Sequence, residues 1–215
     1  MNSEGPRKQT TAGCCLRGEG MYHPEKTAIK RSTMTKPTDW LFRNALPSHG
    51  IRPRSVLDYG AGKSIDADLL AQAHHGLVTG AWDPFPHPGF EHRTAWPSPG
   101  WDLVMVNFVL NVLDTEAERM DVVRKAASLL VDGGYLWLCT RSKRHLDKLG
   151  TTKGWSKTPA GSWLSSPSKR TVQFGMDSDD LEQVCVKAGL SYARLPLRGQ
   201  PSSEAQALLL RLLPS

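Results

Sequence analysis

What the sequence has little of narrows its class first. There are four cysteines, Cys14, Cys15, Cys139 and Cys185, and no two form a C-x-x-C pair. They are too few and too scattered for a disulfide framework, which fits a reducing compartment. No apolar run approaches the length that a bilayer-spanning helix needs. Residues 1–20 are polar and Gly-rich, without the continuous apolar stretch of a secretory signal. They read as a disordered tail, because apolar residues are sparse there and Gly5, Pro6, Gly13, Gly18 and Gly20 interrupt them. The expected protein is soluble and cytoplasmic, with no membrane partner. Histidines cluster only as His74-His75 and as His87 with His92, and no cysteine lies nearby, so no metal is expected. No internal repeat is visible.

What is present describes one domain, residues 21–215, of a 215-residue chain with room for a core. Hydrophobic residues make up 39% and charged residues 22%, with a formal net charge of +6. A basic surface favours an anionic partner, nucleic acid first among them. A helix is expected over Pro37 to Leu46, ended by Pro47 and Gly50. Short apolar strands follow at Ser55–Tyr59, Leu77–Asp83, Asp102–Asn107 and Tyr135–Thr140. The third has almost no polar alternation, as expected when both of its faces are covered. Helices at Ile65–Ala73 and Glu116–Leu130 separate them, and Asp132-Gly133-Gly134 turns the chain. Alternating strands and helices predict an α/β fold built on a mostly parallel sheet with right-handed crossovers. Residues 141–175 break the rhythm and read as a basic insertion. A helix at Ser178–Ala188 and two apolar runs, Leu190–Leu197 and Ala205–Leu212, close the chain as a hairpin. The last run could equally be a short helix.

In such a fold a ligand sits beyond the carboxyl ends of the strands. There the first strand delivers Asp58-Tyr59-Gly60-Ala61-Gly62. Gly60 and Gly62 let the backbone bend sharply and approach a ligand closely. Asp58 can accept hydrogen bonds from an amino group, and Asp83, ending the next strand, can accept both hydroxyls of a ribose. A pyrophosphate cradle fits less well: Ile65 occupies the place of its third glycine, and an acid before the first glycine would repel the phosphates.

These residues resemble motif I of class I S-adenosylmethionine-dependent methyltransferases, and Asp83, followed by Pro84, resembles the acid of their motif II. Asp102 to Val112 is similar to their motif IV region, and Val131 to Leu136 to the turn into the fifth strand. The resemblance implies a Rossmann-like, seven-stranded sheet, mostly parallel with a C-terminal antiparallel strand, with helices on both faces. It also implies S-adenosylmethionine as cofactor, held by Asp58, Tyr59, Gly60, Ala61, Gly62, Asp83, Pro84 and Asn107. A narrower likeness runs from Tyr22 to Gly189 through Lys26 to Arg31, Trp82-Asp83-Pro84, Val109 to Leu113 with Glu118-Arg119, and Thr171-Val172-Gln173. It is to methyltransferases associated with DNA phosphorothioation and similar phage-borne proteins, and it implies nucleic-acid modification, DNA before RNA. This chain departs from that family at Ser64, where glycine is usual.

Methyl transfer from a sulfonium needs alignment more than covalent help. The acceptor should lie against the end of the third strand, which makes Asn107, Phe108 and Asn111 the catalytic candidates. Asn107-Phe108 carries only half of the motif used by amino-methylating DNA enzymes. Asn107 stands where ribose methylases carry an aspartate, and no Pro-Cys nucleophile is present. Polar caps of strand and helix explain the two asparagines equally well. In the insertion, Arg141, Lys143, Arg144, Lys169 and Arg170 interleave with Trp155 and Trp163, a composition suited to phosphates and unstacked bases. Lys30 and Arg31 could extend that surface. A solvated basic loop with its tryptophans on the core is the plainer alternative. Two other functions compete: a small-molecule methyltransferase with the insertion as a lid, and a catalytically silent cofactor-binding module of a modification complex.

Overall fold

The computed structural model describes residues 21–214, so the tail expected over residues 1–20, with Cys14 and Cys15, lies outside the described residues. Six strands form the main sheet: β1 (Ser55–Tyr59), β2 (Val78–Trp82), β3 (Trp101–Asn107), β4 (Leu130–Arg141), β8 (Tyr192–Leu195) and β9 (Ala205–Leu212). Their order is β2-β1-β3-β4-β9-β8, parallel from β2 to β4, with β9 antiparallel to both of its neighbours. The parallel sheet and the reversed C-terminal strand are as expected, but the strands number six, not seven. One reason is local. Pro84, Pro86, Pro88, Pro97 and Pro99 crowd the stretch after β2, proline cannot donate to a ladder, and a short 3-10 turn, Glu91–Thr94, forms instead. β2 is therefore left at the edge.

Helices cover both faces. α1 (Lys36–Trp40) runs through a π-helical turn, Leu41–Ala45, into α2 (Leu46–Ser48), so the expected first helix starts a residue early and passes through Pro47. Leu41, Ala45 and Leu46 pack there with Val56, Met105, Trp137 and Leu209. On the other face α4 (Glu116–Ala127) and α6 (Ser178–Lys187) bury Val122, Val123, Leu181 and Val184 against Val104, Leu136 and Leu208. α3 (Asp66–Ala73) follows the glycine bend. Both α4 and α6 begin with reciprocal capping boxes, Thr115 with Glu118 and Asp177 with Asp180, which satisfy donors that a helix start leaves free. α4 stops three residues short of the expected Leu130. That residue already belongs to β4, where Asp132-Gly133-Gly134 is an irregularity in the pairing with β3 rather than a turn between elements.

The basic insertion is not a loop. After β4 it folds into α5 (Lys143–Lys153) and a separate antiparallel sheet of β5 (Ser156–Lys157), β6 (Trp163–Ser166) and β7 (Thr171–Gln173). Gly150 lets the Trp163 ring lie flat on α5: a Cβ there would fall 2.4 Å from Cδ2 of that ring. Trp163 Nε1 donates to Asp147 (2.9 Å), and Lys157 Nζ sits 3.9 Å above the ring. Among the described residues no helix is long and apolar enough to cross a membrane.

Candidate active site

The carboxyl ends of β1, β2 and β3 open into a cavity of about 1130 Å³. Its base is the bend after β1. The amides of Gly60 and Ala61 both donate to the Trp82 carbonyl, at 2.7 and 2.9 Å, which ties the bend to β2. Gly60 has φ +77°, and a Cβ there would lie 2.4 Å from Val109 Cγ2, so glycine is required twice over. The Gly62 amide donates to Asp83 Oδ2 (2.8 Å), and the Phe85 amide donates to Asp83 Oδ1 (2.9 Å). Two acids expected to face one ligand therefore do share one cavity wall, together with Tyr59, Ala61 and Pro84.

Asp58 is buried, and among the described residues no hydrogen bond reaches its carboxylate. Burial pushes its pKa up to about 8, neighbouring Asp66 and Asp83 add to the rise, and Arg93 opposes it. Arg93 is itself buried behind the bend, donating to the Ser64 carbonyl (2.6 Å) and pairing with Asp68 (3.3 Å). Burial also raises Asp83, against the pull of the Phe85 and Gly62 amides and of His87.

Asn107 borders the cavity, but both ends of its amide are engaged. Nδ2 donates to Thr38 Oγ1 (3.1 Å), and Oδ1 accepts from Trp137 Nε1 (3.0 Å). Thr38 and Thr35 in turn donate their hydroxyls to Asp66 Oδ2, while the Thr35 amide donates to Oδ1 (2.9 Å). This buried network joins the start of α1, the first turn of α3 and the end of β3. It supports the capping reading of Asn107. Phe108 has φ +58°, an uncommon conformation for a bulky residue, held by its amide donating to the Cys139 carbonyl (2.7 Å). Its ring faces the cavity with the Arg141 guanidinium 5.2 Å above it. Asn111 is buried at the cavity wall and donates through Nδ2 to Gln173 Oε1 (2.9 Å).

The basic residues divide. Arg31, Arg141, Arg170 and Trp155 line the cavity; Lys30, Lys143, Arg144, Lys169 and Trp163 do not. Arg141 pairs with Glu204 (2.7 Å), and Lys143 with Asp180 (3.8 Å). Residues not expected at the site complete it. Tyr22 to Ile29, Lys26 apart, line the cavity as a strap that includes a 3-10 turn at Pro24–Thr27. The His23 amide donates to the Arg170 carbonyl (2.8 Å), and Arg170 Nη2 lies 2.6 Å from His23 Nε2. That contact requires Nε2 to accept and leaves Nδ1–H to donate to Glu25 (3.1 Å). Ala28 touches the bend, 3.1 Å from where a Cβ on Gly62 would stand. His87, His145 and Leu149 also border the cavity. In the sequence His87 stands with His92 as a histidine pair four residues after the second acid, His145 follows the Arg141–Arg144 run, and nothing marks Leu149.

No protein-family model matches the chain, and no curated protein matches it. Solved structures do share its fold. An S-adenosylmethionine-dependent methyltransferase from Clostridium acetobutylicum ATCC 824 gives a TM-score of 0.59 at 11% identity, over 86% of this chain and 94% of its own. The 1,6-didemethyltoxoflavin-N1-methyltransferase of Burkholderia thailandensis, with bound 1,6-didemethyltoxoflavin and S-adenosylhomocysteine, gives 0.55 at 15% identity, over 85% and 79%. Magnesium protoporphyrin IX methyltransferase from Synechocystis PCC 6803, with bound S-adenosylhomocysteine, gives 0.53 at 18% identity, over 81% of each chain. The fold is that of S-adenosylmethionine-dependent methyltransferases.

Proposed function

We propose that this chain transfers a methyl group from S-adenosylmethionine to a compact acceptor enclosed in the cavity. The observation that carries the reading is the pairing, in one cavity, of a carboxylate-flanked glycine bend with a second half walled by Phe108, Asn111, Trp155 and the strap. The residues present fit the cofactor. Asp58 has a carboxylate without a protein partner to meet an ammonium group, Asp83 offers a remaining lone pair to a ribose hydroxyl, and the Gly60 and Gly62 positions keep side chains out of the way. When bound, the cofactor supplies an electrophilic methyl group on a sulfonium centre. The protein's task is then alignment and exclusion of water. Phe108, Asn111 and Trp155 wall the acceptor half together with the strap. Asn107, with its amide spent on Thr38 and Trp137, holds the end of β3 rather than the acceptor.

The compact acceptor is favoured over a nucleic-acid strand because the cations suited to phosphates divide as they do. Lys143, Arg144 and Lys169 are exposed outside the cavity, and of Arg31, Arg141 and Arg170, which line it, Arg141 is paired with Glu204 and Arg170 contacts His23. The neighbours with named acceptors act on a toxoflavin precursor and a porphyrin. A role in a DNA-modification system remains the competing reading, carried by those exposed cations and by the resemblance to phosphorothioation-associated proteins.

The deciding experiment is methyl incorporation from labelled S-adenosylmethionine, offered a metabolite extract, DNA and RNA in parallel. Label in a low-molecular-weight product supports the proposal. Label in DNA or RNA overturns the compact acceptor. Failure to bind S-adenosylhomocysteine in calorimetry overturns the cofactor assignment, and binding without incorporation into any pool favours the silent module.

A further inference from the structure

Asp83 is not a free carboxylate awaiting a ligand. Its Oδ2 takes the Gly62 amide, its Oδ1 takes the Phe85 amide, and a third group approaches from within its own turn. His87 Nε2 lies 3.4 Å from Oδ1, in a pair whose side chains are 6% and 9% exposed. The same nitrogen stands 3.9 Å from where a Cβ on Gly62 would be, so it touches the bend as well as the acid. The backbone explains how the imidazole arrives there. Pro84 and Pro86 stiffen the chain on either side of Phe85, and the Phe90 amide donates to the His87 carbonyl (2.8 Å), closing a tight turn. His87 is buried on this loop, and it also lines the cavity.

We propose that His87 is a positioning residue for the cofactor: it donates from Nε2 to Asp83 Oδ1 and so reserves Oδ2 for a hydroxyl of the bound nucleoside. This rests on the S-adenosylmethionine reading above and extends it to a residue outside the glycine bend and its two acids. The Gly62 and Phe85 amides fix the orientation of the carboxylate, and the imidazole fills the second lone pair of Oδ1. Oδ2, with one amide bound, keeps a lone pair toward the cavity. Removing the imidazole leaves both amides in place but opens a lone pair on Oδ1 and empties the space beside the bend, which weakens the grip on the ribose and leaves Asp58 and its half of the site untouched. The effect should therefore be equal for a ligand that has the methionine half and one that lacks it.

The test measures S-adenosylhomocysteine and adenosine binding by calorimetry to the full chain and to His87→Leu, His87→Gln, Asp83→Asn and the double variant His87→Leu/Asp83→Asn. The expected loss for His87→Leu is about tenfold or more for both ligands, the scale of a hydrogen bond to a charged group. His87→Gln, which restores a donor, should recover most of the affinity. His87→Leu should cost little further in the Asp83→Asn background, because a residue acting through another is non-additive with it. Unchanged affinity in His87→Leu, or a full additive loss in the double variant, overturns the proposal. So does a loss confined to S-adenosylhomocysteine with adenosine unaffected. Should a variant fail to fold, the wild-type chain suffices. Nitrogen-resolved NMR of histidine, assigned through His87→Gln, should find the Nε2–H tautomer, and an Nδ1–H tautomer overturns the assignment. A wild-type chain that binds neither ligand defeats the cofactor reading itself, an outcome distinct from all of these.

Discussion

At the scale of single residues, the site combines groups placed at a cost to stability with groups that are fully satisfied. Asp58 is the costly one. Its pKa of about 8, against an ordinary carboxylate value near 4, means that between those limits the folded chain holds a proton the unfolded chain has released. Stability therefore falls as pH rises through that window. Asp58→Asn removes the loss: its melting temperature should exceed that of the wild type, by a margin that grows from about pH 5 to about pH 8 and then levels, as differential scanning calorimetry can measure. The same substitution should abolish S-adenosylhomocysteine binding. In the wild type, affinity should weaken as pH falls below about 8, by up to roughly tenfold per unit, because a cationic ligand group must displace the proton. Asp66, close by, is the satisfied kind, with both oxygens taken by Thr35 and Thr38. The contrast explains what could be read in advance. Gly60 and Gly62 announce themselves through the bend that follows a strand, and Asp58 and Asp83 through their places at the ends of the first two strands. Asn107 does not, because its role is set by Thr38, 69 positions away, and by Trp137, 30 positions away.

At the scale of elements, most of the parallel strands and helices follow from apolar periodicity, and boundaries move by a few residues where a cap or an irregularity intervenes. The basic insertion is the larger surprise. Its strands are two to four residues long, too short for a period of two to stand out, and they are stabilised from outside by α5 rather than by their own pattern. The Gly150 and Trp163 contact is where that support can be cut. Gly150→Val drives a side chain into the indole, and overpacking of this kind costs about 1–3 kcal/mol. A lower melting temperature is expected, with acceptor turnover reduced and S-adenosylhomocysteine affinity within about twofold of the wild type, since the glycine bend and its acids are anchored to β1 and β2 instead. An unaltered turnover in a properly folded variant would remove the small sheet from the acceptor site.

At the scale of the whole molecule, a net charge of +6 suggests polyanion binding, but part of the insertion's positive charge is already paired. Arg141, Lys143 and Lys157 of the insertion each meet a carboxylate, Glu204, Asp180 and Asp147 respectively. Exposed pairs like these add little stability, but they leave less charge for phosphates. With a compact acceptor, KM should change by less than about threefold between roughly 50 and 200 mM salt, whereas a strand bound through 6–10 phosphates would lose about 10³-fold or more. The strap carries the last consequence. Tyr22 to Ile29 are fastened at His23 to the small sheet and rest at Ala28 on Gly62, so one segment spans both halves of the cavity. On the proposed function, a nucleoside product lodged beneath Ala28 would leave only by displacement of that segment. Rapid-quench assays of preloaded protein should then show a first turnover faster than the steady state, and equal rates would separate the strap from product release.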